Sequence, residues 1–359
     1  MSIRSLAVAM LLALATLPAF AEDAPVPKPT ETKFDKYITD ALPVCADMKL
    51  SRTEMQHKLP ANLTGSVIRV ESARNACDGQ FVHVVSREGD FFLGIPWFLD
   101  DVEGTTLEEK LSSFGWKALG EHLIPVVDRT KTRSGLYKVI LNETTERGKM
   151  PIEGEIDPAG KIFFLGHFHP IDQDVRTWRL KAFEPFLANA PAEGAAKPEV
   201  TVVEFSDFEC PSCQHASKYM NPIIASHGDR VRYIRYDLPL ISSHPWAFAA
   251  AVAGRAVYRQ KADLFWEYKK QVYENQEKLS AFTFDDFARG FAQDHELNLA
   301  KYDADIASAD VRNEILKGVG TAFSNDIRAT PTYMVNGRLV DAGVDGKALT
   351  EYVEKLLAK

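Results

Sequence analysis

The segment VTVVEFSDFECPSCQHAS at 200–217 constrains this chain more than any other. A run of β-branched and aromatic residues from Val200 reads as a buried strand, and it passes almost at once into Cys210-Pro211-Ser212-Cys213, which opens a helix. A cysteine at a helix N-terminus sits beside free N–H groups and partial positive charge, which lower its pKa. The second cysteine, almost one turn on, lies against the first and is the more buried. Pro211 suits the first helical turn, where its missing N–H costs nothing. Thiol–disulfide exchange needs these parts: a thiolate nucleophile, a thiol close enough to resolve the mixed disulfide, and access for a partner. Cys210 is therefore expected to attack and Cys213 to resolve. Two other chemistries of C-x-x-C fit less well. Zinc needs two further ligands and only His215 is near, and haem attachment needs a histidine where Gln214 stands. An inert disulfide is awkward at this spacing within a helix.

The rest of the chain supplies the setting. Arg4, an apolar run from Leu6 and Ala19-Phe20-Ala21 read as a secretory signal peptide over 1–21. Residues 22–32, rich in proline and charge, read as a disordered leader, and LANAPAEGAAKPE marks a linker at 187–198. Two domains are expected, 33–186 and 199–359. In the second, the strand and the CPSC helix, running on to Gly228, are followed by the strand Val231–Tyr236 and a long helical stretch from Pro245 to Asp326. PTYMVNGRLV then gives two short strands around Asn336-Gly337, a strong hairpin signal, and an amphipathic helix closes the chain over Lys347–Leu357. That order predicts an α/β thioredoxin-like fold with a helical insertion. The first domain reads as α+β. Strands are expected at Ser66–Val70, Phe81–Ser86 and Leu136–Leu141, with helices over Thr105–Leu119 and Gln173–Phe186. A turn at Asp157-Pro158-Ala159-Gly160 should join the two strands of PIEGEI and KIFFLGHF.

VTVVEFSDFECPSCQHAS resembles the active-site segment of DsbA-like thiol–disulfide oxidoreductases of the thioredoxin superfamily. The resemblance covers about 199–359. It implies that Glu204, six positions before Cys210, is a buried acid exchanging a proton with Cys213. It implies that Thr330-Pro331 is a cis-proline element opposite the cysteines, with the Thr330 backbone available to a bound substrate strand. HPWAFAAAVAGRAV is similar to the start of the family's helical insertion; His244 at its head reads as a structural turn or cap in preference to a catalytic group. The dipeptide Pro211-Ser212 departs from the best-known relatives, which carry histidine where Ser212 stands, so thiolate stabilisation is expected to be weaker.

The other cysteines, Cys45 and Cys77, are 32 positions apart with no helix-start setting. A structural disulfide is the favoured reading over a second redox centre. Closing that loop would stabilise its domain by about 3–4 kcal/mol. His167-Phe168-His169 could put two histidines on one strand face, a copper or zinc site if a third ligand joined them. A β-rich domain, a helix, a linker and then thioredoxin is also the order in DsbC- and DsbG-like isomerases. That weaker resemblance implies an N-terminal module for homodimerisation or substrate binding. The net charge of −8 argues against nucleic acid or an anionic membrane as partner. The expected function is exchange with cysteines of exported proteins, in the periplasm or outside the cell, with a membrane oxidase or reductase as redox partner and no cofactor. The alternative from another class is a copper-handling module using the C-x-x-C and histidines.

Overall fold

The run from Val200 forms the expected buried strand over Val200–Ser206, in which every residue but Thr201 is buried. Burial on both faces is what a parallel strand under helices requires. The computed structural model describes residues 33–44, 48–72, 79–119, 121–145, 147–170 and 173–358. The segments read as signal peptide and leader, and both Cys45 and Cys77, lie outside the described residues. The chain forms two compact units, one comprising residues up to Arg179 with Gly320–Asp326, the other Leu180–Val319 with Ile327–Lys359.

The first unit carries α1 (Lys33–Ala41), β1 (Lys49–Glu54), β2 (Leu63–Glu71), β3 (Gly79–Ser86), β4 (Asp90–Gly94), β5 (Pro96–Phe98), α2 (Leu107–Phe114), β6 (Leu123–Lys131), β7 (Tyr137–Thr145), β8 (Gly148–Ile156), β9 (Ile162–Leu165) and β10 (His169–Pro170). They form two five-stranded antiparallel sheets, ordered β1-β2-β3-β4-β10 and β5-β9-β8-β7-β6. Val84 and Phe92 from one sheet and Ile162 and Phe164 from the other meet in a common core. The α2 helix starts at a capping box: Thr106 accepts from Glu109 N, and the Glu109 carboxylate accepts from Thr106 N. It is shorter than the sequence reading, because Gly115–Leu119 continues as a π-helix.

The turn between β8 and β9 is held by one buried carboxylate. Asp157 Oδ1 accepts from the N–H groups of Lys161 (2.6 Å) and Ile162 (2.7 Å), and Oδ2 accepts from Ala159 N at 3.0 Å. Gly160 closes the turn at φ 66°, a value that favours glycine.

The second unit contains most of α3 (Val175–Leu187), then β11 (Ala192–Gly194), β12 (Val200–Ser206), α4 (Pro211–Ala216), α5 (Met220–His227) and β13 (Val231–Asp237). The helices α6 (Ala247–Gln260), α7 (Leu264–Glu274), α8 (Phe284–Asp294), α9 (Leu299–Ala307) and α10 (Ala309–Ser324) follow, then β14 (Thr332–Val335), β15 (Arg338–Val340) and α11 (Lys347–Leu357). The sheet order is β11-β13-β12-β14-β15, with β12 and β13 parallel and the other pairs antiparallel. This is the thioredoxin-like fold, with five helices inserted between β13 and β14. The hairpin turn has positive φ at both Asn336 (47°) and Gly337 (81°), as a two-residue type I′ connection demands.

Two local features differ from the sequence reading. The helix opened by Cys210 stops at Ala216 and restarts at Met220. Pro222 has no N–H to offer the Lys218 carbonyl, and its ring crowds that oxygen. Within 187–198, Ala192–Gly194 adds an edge strand by main-chain pairing with β13.

The Asp157 turn generates a stability prediction. Asp157→Ala strands three N–H donors and should cost about 2–3 kcal/mol, measured by denaturant unfolding. A change within about 0.5 kcal/mol, the size of an ordinary surface substitution, would show that the carboxylate does not hold the turn.

Candidate active site

Cys210 is the N-cap of α4, with extended backbone (φ −75°, ψ 120°) and Pro211 in the first turn. Its carbonyl accepts from Cys213 N (3.0 Å) and Gln214 N (3.1 Å), which fixes the strand-to-helix junction. Both cysteines are free thiols. Cys210 retains 7 % exposure and Cys213 none, while Pro211 and Ser212 are exposed. The Cys210 thiol donates to the Thr330 carbonyl at 3.5 Å. Asp207 N donates to Cys213 Sγ at 3.4 Å. The Thr330–Pro331 peptide is cis.

This environment separates the two thiols in proton affinity. A hydrogen bond from the Cys213 thiol, helped by the Thr330 side chain and the Cys213 backbone, outweighs burial and draws the Cys210 pKa down to about 5. Burial first, then the hydrogen bond and charge of Cys210 and the charge of Glu204, push the Cys213 thiol well up.

Behind Cys213, polar side chains fill one face of the central strands. The register pairs Glu204 with Arg235 on β13 and with Tyr333 on β14. Glu204 is fully buried, and Tyr233 donates its hydroxyl proton to Glu204 Oε2. Lys269 on α7 donates to the Tyr233 hydroxyl at 2.8 Å and lies 4.0 Å from Glu204 Oε2. Arg235, also fully buried, pairs with Asp237 and stacks over Phe208, its guanidinium carbon 3.7 Å from the ring centroid. Burial lowers the Lys269 pKa against the pull of Glu204.

A second polar cluster flanks Cys210. Asp207 accepts from Glu209 N, Leu240 N and His244 Nδ1, each at 2.7 Å. Glu209 Oε2 accepts from Trp246 N (2.7 Å) and Ala247 N (3.0 Å), capping the start of α6. Gln276 donates to the Phe208 and Cys210 carbonyls at 2.8 and 3.1 Å. Burial disfavours charge on His244, but the hydrogen bond and charge of Asp207 outweigh it and raise its pKa, with Cys210 contributing.

The structure thus brings together Cys210, Cys213, Glu204, Thr330 and Pro331, with Pro211 and Ser212 at the surface. Sequence reasoning missed Tyr233, Arg235, Lys269, Asp207 and Gln276. Tyr233, Arg235 and Asp237 repeat with period two in VRYIRYD, a polar stripe inside a buried strand, and that signal was available. Lys269 had no such signal. In the first unit, His167 pairs with Glu153 at 2.9 Å and His169 stacks on Trp178 at 3.8 Å. Among the described residues no three of His, Cys, Asp and Glu converge as a metal site, and no helix is long and apolar enough to cross a membrane.

A β-α-β start, a dithiol at a helix N-terminus and a cis-proline loop against its first sulfur define a thioredoxin-fold dithiol domain. Residues 188–355 match the family described as Thioredoxin. A Na(+)/H(+) antiporter NhaA of Herminiimonas arsenicoxydans is 30 % identical over 161 residues, 45 % of this chain and 24 % of that protein. A probable disulfide bond formation protein D of Bacillus cereus is 25 % identical over 166 residues, 45 % of this chain and 75 % of that protein. The chain thus spans about a quarter of the length of the antiporter relative. Among solved structures, oxidised BdbD from Bacillus subtilis is 23 % identical with TM-score 0.43, covering 48 % of this chain and 95 % of that one.

The Asp207–His244 pair makes the site's pH response testable. Asp207 carries a charge that raises the Cys210 pKa, and a protonated His244 offsets it. His244→Gln should move the pH midpoint of Cys210 alkylation upward by roughly half a unit to one unit. A midpoint that stays put or falls would remove His244 from the electrostatics of the thiol.

Proposed function

We propose that this chain is a protein thiol–disulfide oxidoreductase in which Cys210 attacks and Cys213 resolves. The observation that carries the reading is the placement of the pair, Cys210 at the helix start beside the cis Thr330–Pro331 peptide and Cys213 fully buried with the buried Glu204 behind it. The Cys210 thiolate attacks one sulfur of a client disulfide, whose S–S electron pair leaves on the other sulfur. Cys213 then gives its proton to Glu204 and attacks Cys210 Sγ. The mixed disulfide breaks, the client leaves as thiolates that take their protons from water, and the Cys210–Cys213 bond holds the oxidised state. Run in reverse, the same steps oxidise a client dithiol. A thiolate held near pH 5 favours the reduced pair, so the disulfide form readily hands its bond to clients in oxidative folding or isomerisation. The Thr330 backbone, whose carbonyl is 3.5 Å from the Cys210 sulfur, pairs with the bound client strand. The Bacillus cereus relative, a probable disulfide bond formation protein, agrees with this chemistry.

The clients are exported proteins with free or mispaired cysteines, and a membrane oxidase or reductase resets the pair. The signal-peptide pattern of residues 1–21 supports a periplasmic or extracellular setting. The first unit serves dimerisation or client binding. Cys210→Ser should abolish exchange, whereas Cys213→Ser should trap clients as mixed disulfides visible on non-reducing gels and released by dithiothreitol. Full turnover by either variant would overturn the assignment.

A further inference from the structure

We propose that Tyr233 and Lys269 form a proton path between Glu204 and an open cavity, carrying one proton to or from Cys213 in each exchange. The path rests on the exchange reading above and adds positioning residues to it. Glu204 is sealed from solvent, so a proton it takes from Cys213 needs an outlet, and one it gives needs a source. Its Oε1 has no hydrogen-bond partner among the described residues, while its Oε2 accepts from Tyr233. Tyr233 in turn accepts from Lys269 at 2.8 Å. Both Tyr233 and Lys269 line a cavity of about 730 Å³. Glu193 shares that lining, and the exposed side chains of Lys218, Asn221 and Lys270 stand at its rim. The chain of contacts therefore runs from the acid to a space open to water.

The other groups facing Glu204 offer no such outlet. From β13, Arg235 is bonded to Asp237 and a guanidinium does not release its proton in the working range. From β14, the Tyr333 hydroxyl is buried with no hydrogen-bond partner among the described residues. From α7, the Tyr273 hydroxyl is engaged with Ser206 and the Asp207 carbonyl. From α4, Cys213 is the group being served. Lys269 differs from Arg235 because burial already lowers its pKa, which makes loss of its proton accessible; Glu193, across the cavity, opposes that loss.

The step balances as follows. When a client thiolate attacks Cys210 Sγ of the disulfide form, the Cys210–Cys213 bond breaks and its electron pair leaves on Cys213. Glu204 gives a proton to that thiolate. The Lys269 ammonium passes a proton to the Tyr233 oxygen as Tyr233 passes its own to Glu204. Water in the cavity reprotonates Lys269. Resolution by Cys213 runs the path outward. One proton moves, and no electron travels along it.

The test uses the full-length chain carrying a preformed Cys210–glutathione mixed disulfide. Its resolution by Cys213 is followed against pH in wild type, Tyr233→Phe and Lys269→Arg. Tyr233→Phe removes one oxygen; Lys269→Arg keeps the charge but cannot release the proton. Both should resolve about tenfold or more slowly, with an altered pH profile, while Cys210 alkylation keeps its wild-type rate and midpoint. Pre-steady-state curves that overlie wild type at every pH would overturn the path. Should Tyr233→Phe melt too low to assay, Lys269→Arg decides alone. A wild-type chain that never resolves the glutathione adduct overturns the exchange reading, and the path with it, which tells the two failures apart.

Discussion

The rest of the site depends on one constraint: two thiols a helical turn apart are held in environments that want opposite protonation states. Cys210 keeps a little solvent and gains the helix start and the Cys213 thiol as hydrogen-bond donors. Cys213 is wholly buried and faces a buried carboxylate. Because each environment strengthens the other, a negative charge on Cys210 keeps the proton on Cys213, and that proton is what stabilises the charge on Cys210. The fold supplies the asymmetry. Parallel β12 and β13 bury Glu204 beneath the start of α4, so the inner thiol meets a buried carboxylate while the outer one sits at the helix start.

Buried charge of this density is costly unless it is paired. Here it is organised as two linked sets. Asp237 is shared by Arg235 and Arg255, both buried. Glu204 is shared by Tyr233 and, at longer range, Lys269. Apolar residues in their place would fill the same sheet face with less desolvation. Retaining ionisable groups beneath the dithiol fits a protein that must move protons there.

How much of this was legible in the sequence follows from how far apart the partners lie along it. The CPSC junction, the Asn336-Gly337 hairpin, the Asp157 turn and the last helix are local, and their residues carry their own conformational reasons. The break before Met220 was also written locally, in Pro222, inside a stretch read as one helix running on to Gly228. The 192–194 edge strand pairs through main chain, so its small residues give no pattern. Lys269 meets Tyr233 only through the packing of α7 on the sheet, 36 residues away. His244 meets Asp207 across 37 residues, and nothing in HPWAF distinguishes that contact from a plain helix cap.

The account turns on which sulfur carries the negative charge. The ultraviolet absorbance of the thiolate, followed against pH in the reduced protein and in Cys210→Ser, measures it directly. The account predicts a wild-type transition near pH 5 that disappears in Cys210→Ser, with Cys213 ionising only above the ordinary thiol range. An acidic transition that survives Cys210→Ser, or a wild type with none below the ordinary thiol range, would contradict it.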